Sequence, residues 1–326
     1  MEKVCEIMKK KFLKLFIIIG LFVLSSCQSK YPQVAYTVYP IEFILNRLAK
    51  DKITYINISD GSLILRSELK PDFKDTLSKS NLLIYFGGLE PYFQSFGDEI
   101  EASKVPLLDI TARTNIYQFN RFYKYSISED DFIVKESKYY EDPIFNSIDI
   151  YSNDPYLWMD PIAMTSMAKQ IKTWLNNMFP EQKPFFEENY QKLEIDLAHL
   201  DYEFQALKDR HSSIKIVTMT PSFGPWQQNY GIEIYPVILS KYGVVPTQQQ
   251  LTLIKQRIAA DEVKYIADEP NLPEDIKVIY DELVAELELT PISLHSVTFR
   301  TIQQIESNKD FIDIMYENLA ALESIE

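Results

Sequence analysis

Residues 186–207 read Phe186-Glu-Glu-Asn-Tyr190-Gln-Lys-Leu193-Glu-Ile-Asp-Leu197-Ala-His-Leu200-Asp-Tyr-Glu-Phe204-Gln-Ala-Leu207. The apolar positions Phe186, Tyr190, Leu193, Leu197, Leu200, Phe204 and Leu207 recur at gaps of 4, 3, 4, 3, 4 and 3. That spacing places one apolar stripe along a single helix. Glu187, Glu188, Lys192, Glu194, Asp196, Asp201, Glu203 and Lys208 form the charged outer face. Pro184 stands just before, where a helix tolerates proline. The stretch rises ~1.5 Å per residue, so it spans about 30 Å, the width of a small domain. The spacing also fits a dimeric coiled coil, although three heptads are short for one. One block of alternating strands and helices precedes the helix and a second follows it. The layout predicts a rigid rod holding two α/β lobes at a fixed spacing, with a cleft between them.

The flanking segments carry the two blocks. Apolar or alternating β-branched and aromatic runs predict strands at Val34–Tyr39, Ile53–Ile58, Leu82–Phe86 and Val105–Ile110. Helices are expected at Pro40–Ala49, Pro71–Lys79 and Pro161–Asn177. After the rod, strands are expected at Ile214–Met219, Val263–Ala267 and Ile292–Leu294. Helices are expected there at Thr247–Ala259, Pro273–Leu287 and Asn308–Leu322. Such alternation indicates parallel sheet covered by helices. Residues 111–153, rich in Tyr, Asp and Glu, break the pattern and read as an insertion or long loop over the cleft mouth. No internal sequence repeat is expected. The division that follows is a leader at 1–26, a tether at 27–32, an N-terminal α/β lobe at 33–179 with the insertion, a linking helix at 180–212, and a C-terminal α/β lobe at 213–326.

Composition excludes several functions. The 326 residues carry a net charge of −14. Without residues 1–26 the balance is 28 basic against 45 acidic, or −17. Nucleic-acid binding is not expected, because a phosphate backbone requires a basic face. Eight Gly include no run able to cradle a phosphate. The two Cys, Cys5 and Cys27, are not placed to form a disulfide in the folded body. His199, His211 and His295 are too few and too scattered for a histidine-built metal site. No nucleophile stands with a neighbouring base and no cofactor fingerprint occurs, so an enzyme is not expected. Asp154 and Asp160 read as structural, with Asp160 capping the helix that begins at Pro161.

Met8-Lys-Lys-Lys begins a basic stretch that runs into a largely apolar segment, Phe12 to Leu24. This is short for a membrane span and suits an export signal. Met8 is a second candidate start. Leu24-Ser25-Ser26-Cys27 resembles a bacterial lipobox, in which the cysteine sulfur takes a diacylglyceryl chain. The resemblance implies a lipid anchor at Cys27 and a protein held at the cell envelope, facing the periplasm or the exterior.

Five further stretches carry a family resemblance over residues 33–322. They are Val34-Ala35-Tyr36-Thr37-Val38-Tyr39-Pro40, Glu68-Leu69-Lys70-Pro71 and Asp154-Pro155-Tyr156-Leu157-Trp158-Met159-Asp160-Pro161. The others are Ile216-Val217-Thr218-Met219-Thr220-Pro221-Ser222-Phe223-Gly224 and Phe311-Ile312-Asp313-Ile314-Met315-Tyr316-Glu317-Asn318-Leu319. The chain resembles the substrate-binding lipoproteins of ABC importers for zinc and manganese. The strongest single match is to that family's Asp-Pro-His-x-Trp-x-Asp-Pro. The resemblance implies two α/β lobes joined by one rigid helix, a zinc or manganese ion captured between them, and delivery to a permease and its ATPase. A rigid rod also implies small lobe motion.

The family holds its ion with histidines and carboxylates, and this chain departs at each place. The first histidine falls at about Leu65, near Glu68. The second becomes Tyr156, the third Thr220, and the usual Asp falls near His295. Leucine donates nothing. A tyrosine phenol, with pKa near ~10, is a rare zinc ligand at neutral pH. His295 is the one good ligand retained, with Glu269 at a strand end and Glu68 as its candidate partners. Glu269 reads equally as a cleft carboxylate or as a cap for the helix near Pro273. Tyr156 and Thr220 also have plain readings, as a space-filling hydrogen-bonding ring and as a turn former. The acidic runs Ser128-Glu129-Asp130-Asp131 and Tyr139-Tyr140-Glu141-Asp142 read as a solvated loop. Two functions follow. The first is a solute-binding lipoprotein whose cargo is a metal, or an organic solute stacked near Tyr156 and Trp158. The second is a degenerate relative without metal, binding an organic solute, or a protein partner through the aromatics of 111–153.

Overall fold

Parallel strands begin almost as soon as the described chain does. In the computed structural model, residues 32–61, 63–114, 117–126, 132–211 and 213–325 are described. The expected leader, Cys27, residues 28–31 of the tether and Ser128 to Asp131 lie outside them. Strands β1 (Gln33–Tyr36), β2 (Thr54–Asn57), β3 (Leu82–Tyr85) and β4 (Leu107–Asp109) form a parallel sheet in the order β2-β1-β3-β4. Helices α1 (Tyr39–Ala49), α2 (Phe73–Lys79) and α3 (Phe93–Ala102) make the crossovers. Val34, Ala35, Leu83 and Ile84 are wholly buried, as residues of a sheet covered on both faces are.

The second half repeats this order. Strands β7 (Ile214–Thr218), β8 (Ile232–Pro236), β9 (Tyr265–Asp268) and β10 (Thr290–Ser293) form a parallel sheet ordered β8-β7-β9-β10. In each lobe, then, the second strand lies outside the first, and the third and fourth follow on the other side. Helices α6 (Gly224–Tyr230), α7 (Gln248–Ala260), α8 (Glu274–Leu287), α9 (Ile302–Glu306) and α10 (Phe311–Glu323) accompany it.

The rod is α5 (Lys183–Arg210), which spans about 40 Å at 1.5 Å per residue. All seven stripe residues are buried, so the stripe is used inside the chain and is not free for a coiled-coil partner. The helix packs on α1, α4 (Pro161–Met178), α6 and α10. Asn189 interrupts its apolar face and is also buried, with its Nδ2 donating to the Leu48 carbonyl at 2.9 Å. Asp160 caps α4, its Oδ1 accepting from the Ile162 amide at 2.8 Å.

Residues 111–153 differ from expectation. They contain a hairpin, β5 (Arg121–Ser126) with β6 (Phe132–Ser137), and they pack on the C-terminal sheet. Phe119, Tyr139, Tyr140, Phe145 and Tyr151 are buried, while Glu141 and Asp142 remain exposed. The reading of Tyr139 and Tyr140 as solvated, and of these aromatics as an exposed partner surface, is therefore corrected. Aromatics scattered without a period read as loop, but here they close over β8. Tyr140 donates to the Pro236 carbonyl at 3.0 Å, and Gln227 Nε2 donates to the Tyr139 hydroxyl at 2.8 Å.

Arg121 fixes the hairpin. Its Nη2 meets Glu233 at 3.2 Å, Asp261 at 2.8 Å and the Tyr235 hydroxyl at 2.7 Å, and the side chain is 4% exposed. Removing one partner of a buried ionic group leaves the other charge uncompensated. Arg121→Ala is therefore expected to destabilise the fold by about 3 kcal/mol in urea unfolding. The loss should shrink when Glu233 and Asp261 are also made neutral amides. An equal loss in both backgrounds would contradict this account of the hairpin.

Candidate functional site

In open parallel sheets, ligands bind beyond the carboxyl ends of the strands, where strand order reverses. In both lobes that point lies between the first and third strands, and the two lobes place the same pair of residues there. In the N-terminal lobe Thr37, just after β1, donates through Oγ1 to Glu90 Oε1 at 2.5 Å. In the C-terminal lobe Thr220, just after β7, donates to Glu269 Oε2 at 3.4 Å. Glu90-Pro91 follows β3 and Glu269-Pro270 follows β9, so a short internal repeat exists after all. Glu90 also accepts from the Phe86 amide at 2.8 Å. Burial, the largest influence on each, pushes Glu90 up to about 7 and Glu269 up to about 8.

The segment 154–160 lies between these two points. Tyr156 is 1% exposed, and the neighbours of its hydroxyl are the Ser222 and Thr220 hydroxyls and Glu269. Burial raises the Tyr156 pKa, so the phenol is neutral. Asp154 Oδ1 accepts from the Tyr156 amide at 3.0 Å, and burial pushes this carboxyl up to about 7. Its other oxygen sits over Gly224, where an added Cβ would stand 1.7 Å away, so a larger residue there would have to displace the Asp154 carboxyl. Trp158 is wholly buried, and its Nε1 donates to the Ser296 carbonyl at 2.8 Å. Its ring packs edge-on against Phe86 and Tyr156, with centroids 4.9 and 5.1 Å apart. Trp158 is thus a brace between lobes, and the expectation that it offers a stacking face to a solute is corrected.

His295 follows β10. Asn318 grips its backbone from both sides, Oδ1 accepting from the His295 amide at 2.7 Å and Nδ2 donating to its carbonyl at 2.9 Å. The Val297 amide donates to His295 Nδ1 at 2.9 Å. The ring packs against Phe299 with centroids 5.1 Å apart. Burial pushes its pKa down to about 4, so the imidazole is neutral at pH 7. A neutral imidazole has one lone-pair nitrogen and one N–H. With Nδ1 accepting, the proton resides on Nε2.

The other candidates fall elsewhere. Leu65 is buried in a short 3-10 turn against Gly243. Its neighbour Arg66 reaches across to the other lobe, donating to the Gly243 carbonyl at 2.6 and 3.0 Å and to both oxygens of Asp275 at 2.9 and 2.8 Å. Glu68 is exposed on a two-residue ribbon opposite Asp60 and does not join the buried group. Glu269 does not cap the helix at Pro273, because its carboxyl is turned inward to Thr220. Glu90 was not anticipated. The repeated strand–Glu-Pro pattern was the signal that could have found it.

Seven buried side-chain polar atoms lack a hydrogen-bond partner among the described residues. Four of these are Glu90 Oε2, Tyr156 Oη, Glu269 Oε1 and His295 Nε2, with the Ser222 and Thr220 hydroxyls beside Tyr156 and the Gln304 side chain beside His295. Zinc takes four donors drawn from Cys, His, Asp and Glu. Among the described residues no group of three or more such side chains converges to hold an ion. The donor set as it stands does not fit a tetrahedral zinc site.

A family model described as ZnuA, zinc-uptake complex component A, periplasmic, matches residues 34–325. The high-affinity zinc uptake system protein ZnuA of Bacillus subtilis (strain 168) is 22% identical over 172 residues, 53% of this chain and 53% of that protein. The zinc-binding protein AdcA of Streptococcus pyogenes is 21% identical over 169 residues, 52% of this chain and 32% of that protein. The match thus spans about half the length of the first relative and about a third of the second. Among solved structures, a Zn(II)-bound AdcAII variant of Streptococcus pneumoniae superposes with a TM-score of 0.71. It is 18% identical, with 91% of this chain and 98% of that one covered. The periplasmic zinc binding protein TroA of Treponema pallidum gives a TM-score of 0.68 at 15% identity, covering 90% and 98%. At these identities the structural likeness establishes the fold of two α/β lobes.

Proposed function

This chain belongs to the ZnuA family of periplasmic zinc-uptake components, and from that premise we propose that it is the solute-binding component of an ABC importer. It captures its cargo between the two lobes and presents it to a permease and the permease's ATPase. The observation that carries this reading is the pair of buried carboxyls, Glu90 and Glu269, at the corresponding strand ends of the two lobes, each with one oxygen lacking a partner. A buried polar atom without a partner costs about 1–3 kcal/mol, and native proteins keep few. Two such oxygens, at the strand ends where open parallel sheets bind ligands, are most simply partnered by a bound solute.

The chain's own groups divide the work. Glu90 and Glu269, one from each lobe, offer one free oxygen apiece. Tyr156 and His295 both stand near Glu269, the first through its hydroxyl and the second across a shared cavity. Arg66, clamped on Gly243 and Asp275, and Tyr242, whose hydroxyl donates to Gln94 at 2.7 Å, tie the lobes at their rim. Release of such rim contacts, rather than bending of α5, is the route by which cargo enters. Zinc and manganese are the ions of this class of importer, yet among the described residues no three His, Cys, Asp or Glu converge, so a metal cargo would need donors beyond Glu269 and His295. We further assign the leader to 1–26, the lipid anchor to Cys27 and the tether to 27–32. The lobes are assigned to 33–179 and 213–326, joined by 180–212, with the protein at the cell envelope.

The test is reconstitution. The full chain, added to proteoliposomes holding the permease and ATPase encoded beside it, should stimulate ATP hydrolysis severalfold. The stimulation should fall in Glu90→Ala and Glu269→Ala. No stimulation, or no such genes beside it, would count against the importer reading.

A further inference from the structure

We infer that residues 240–243 form a strap latching the C-terminal lobe to the N-terminal lobe, that the contact of Arg66 with Gly243 is its catch, and that the lobes part there while the side next to the rod stays closed. The inference rests on the solute-capture reading above and deepens it, by naming the residues that govern entry. Three observations carry it.

The first is how the strap is made. The Gly243 amide donates to the Ser240 carbonyl at 2.9 Å, which closes a tight turn. Gly243 has a φ of 65°, in the left-handed region that glycine enters without steric cost. An added Cβ there would stand 3.0 Å from Arg66 Cγ, 3.1 Å from Arg66 Nε and 3.3 Å from Leu65 Cβ. Glycine is therefore required twice, by the turn and by the approach of the opposite lobe. The Gly243 carbonyl accepts from Arg66 Nε and Nη2, and the same guanidinium donates to both oxygens of Asp275 in the first turn of α8. A planar fork held by two acceptors has one geometry, which a lysine would not reproduce.

The second is what else the strap touches. The Tyr242 hydroxyl donates to Gln94 of α3 at 2.7 Å. The Tyr151 hydroxyl lies between the Leu89 carbonyl of the N-terminal lobe, at 3.3 Å, and the Lys241 carbonyl of the strap, at 3.2 Å. The Lys241 amide and Nζ are both anchored on Asp149, at 2.9 and 2.8 Å. Gln94, Tyr151 and Lys241 line one cavity together with Phe86 and Asp154. The strap thus forms part of the wall of a space bounded by both lobes.

The third is the contrast with the side next to the rod. There Arg47 of α1 pairs with Asp196 of the rod and with Asp310, the cap of α10. Phe43 of α1 packs on Phe311 of α10 with ring centroids 5.1 Å apart, and both rings are buried. Both helices pack on α5. Parting that side would expose apolar rings to water. Parting the strap exchanges polar contacts for water, and its ion pair is already open to solvent, with Arg66 32% and Asp275 51% exposed.

Hydroxyl-radical footprinting of the full chain, read residue by residue by mass spectrometry, tests the catch. Tyr151 is 8% exposed against the strap. Its oxidation rate should rise about fivefold in Arg66→Ala and in Gly243→Ala, and no further in the double variant, because both substitutions break one contact. Trp226, buried against Phe204 of the rod, should stay protected in all three, which shows that each variant folds. An unchanged rate at Tyr151 in Arg66→Ala would overturn the inference. Rises that multiply in the double variant would also overturn it, since Gly243 would then act through its own turn. Exposure of Trp226 would do the same, since the contact would then hold the whole fold. None of these outcomes touches the importer reading, which stands or falls on ATP hydrolysis in the reconstituted system.

Discussion

Glu269→Gln is expected to be more stable than the parent at high pH and not at low pH. Burial holds the Glu269 pKa at about 8 in the folded chain, against 4.5 for the free side chain. Between those values the folded state keeps a proton that the unfolded state has released. Its contribution to stability is full below about pH 4.5 and is lost as pH rises through about 8. Three and a half pKa units correspond to ~5 kcal/mol, so on the order of 3–5 kcal/mol separates the two ends of the window. Glutamine has nearly the same shape and no proton to lose. The difference in unfolding free energy between Glu269→Gln and the parent should therefore grow by that amount from about pH 5 to about pH 8.5, read from urea unfolding without ligand. Glu90 and Asp154, each pushed up to about 7, act in the same direction, and His295, pushed down to about 4, acts oppositely below pH 6.5. All three are common to parent and variant and cancel in the comparison. Parallel pH profiles for the two proteins would show that the Glu269 carboxyl is not held in its neutral form.

Phe204→Ala should cost about 3–5 kcal/mol. Phe204 is wholly buried on α5, with its ring centroid 5.4 Å from Trp226 and 4.9 Å from Tyr230. Both partners belong to α6, and Trp226 Nε1 donates to the Met159 carbonyl at 3.0 Å. The cavity left by the ring would therefore loosen the rod from α6 and α6 from the 154–160 segment that carries Tyr156. The loss should appear as a lower urea midpoint at an unchanged slope. A cost below about 1 kcal/mol would mean that the site collapses around the smaller side chain, and that the rod is not what fixes α6.

What could be read in advance follows from the range of the forces. The stripe from Phe186 to Leu207 was legible because a 3.6-residue period is local, and every member proved buried. The sheets were legible where strands are short continuous apolar runs, as at Leu82–Tyr85. Strand β8, Ile-Glu-Ile-Tyr-Pro, was missed because Glu233 interrupts the run. That charge is tolerated in a fully covered strand because Arg121, 112 residues earlier, meets it. Helix α3 was missed for a different reason, since only Ile100 of its ten residues is buried and its apolar signal is weak. Of the site, Tyr156, Thr220, Glu269 and His295 could be singled out by position. The proton arrangement of His295 could not, because it depends on the Val297 amide and on a backbone with φ of 55° at that residue.

The measurement that bears most directly on the cargo site is diffraction from crystals of the full chain soaked in zinc, recorded at the zinc absorption edge. No anomalous peak is expected between Glu269 and His295, and the Val297 amide should still donate to Nδ1. A peak bonded to His295 Nε2 and Glu269 Oε1 at about 2.0–2.2 Å would contradict it and show that the site has kept its metal.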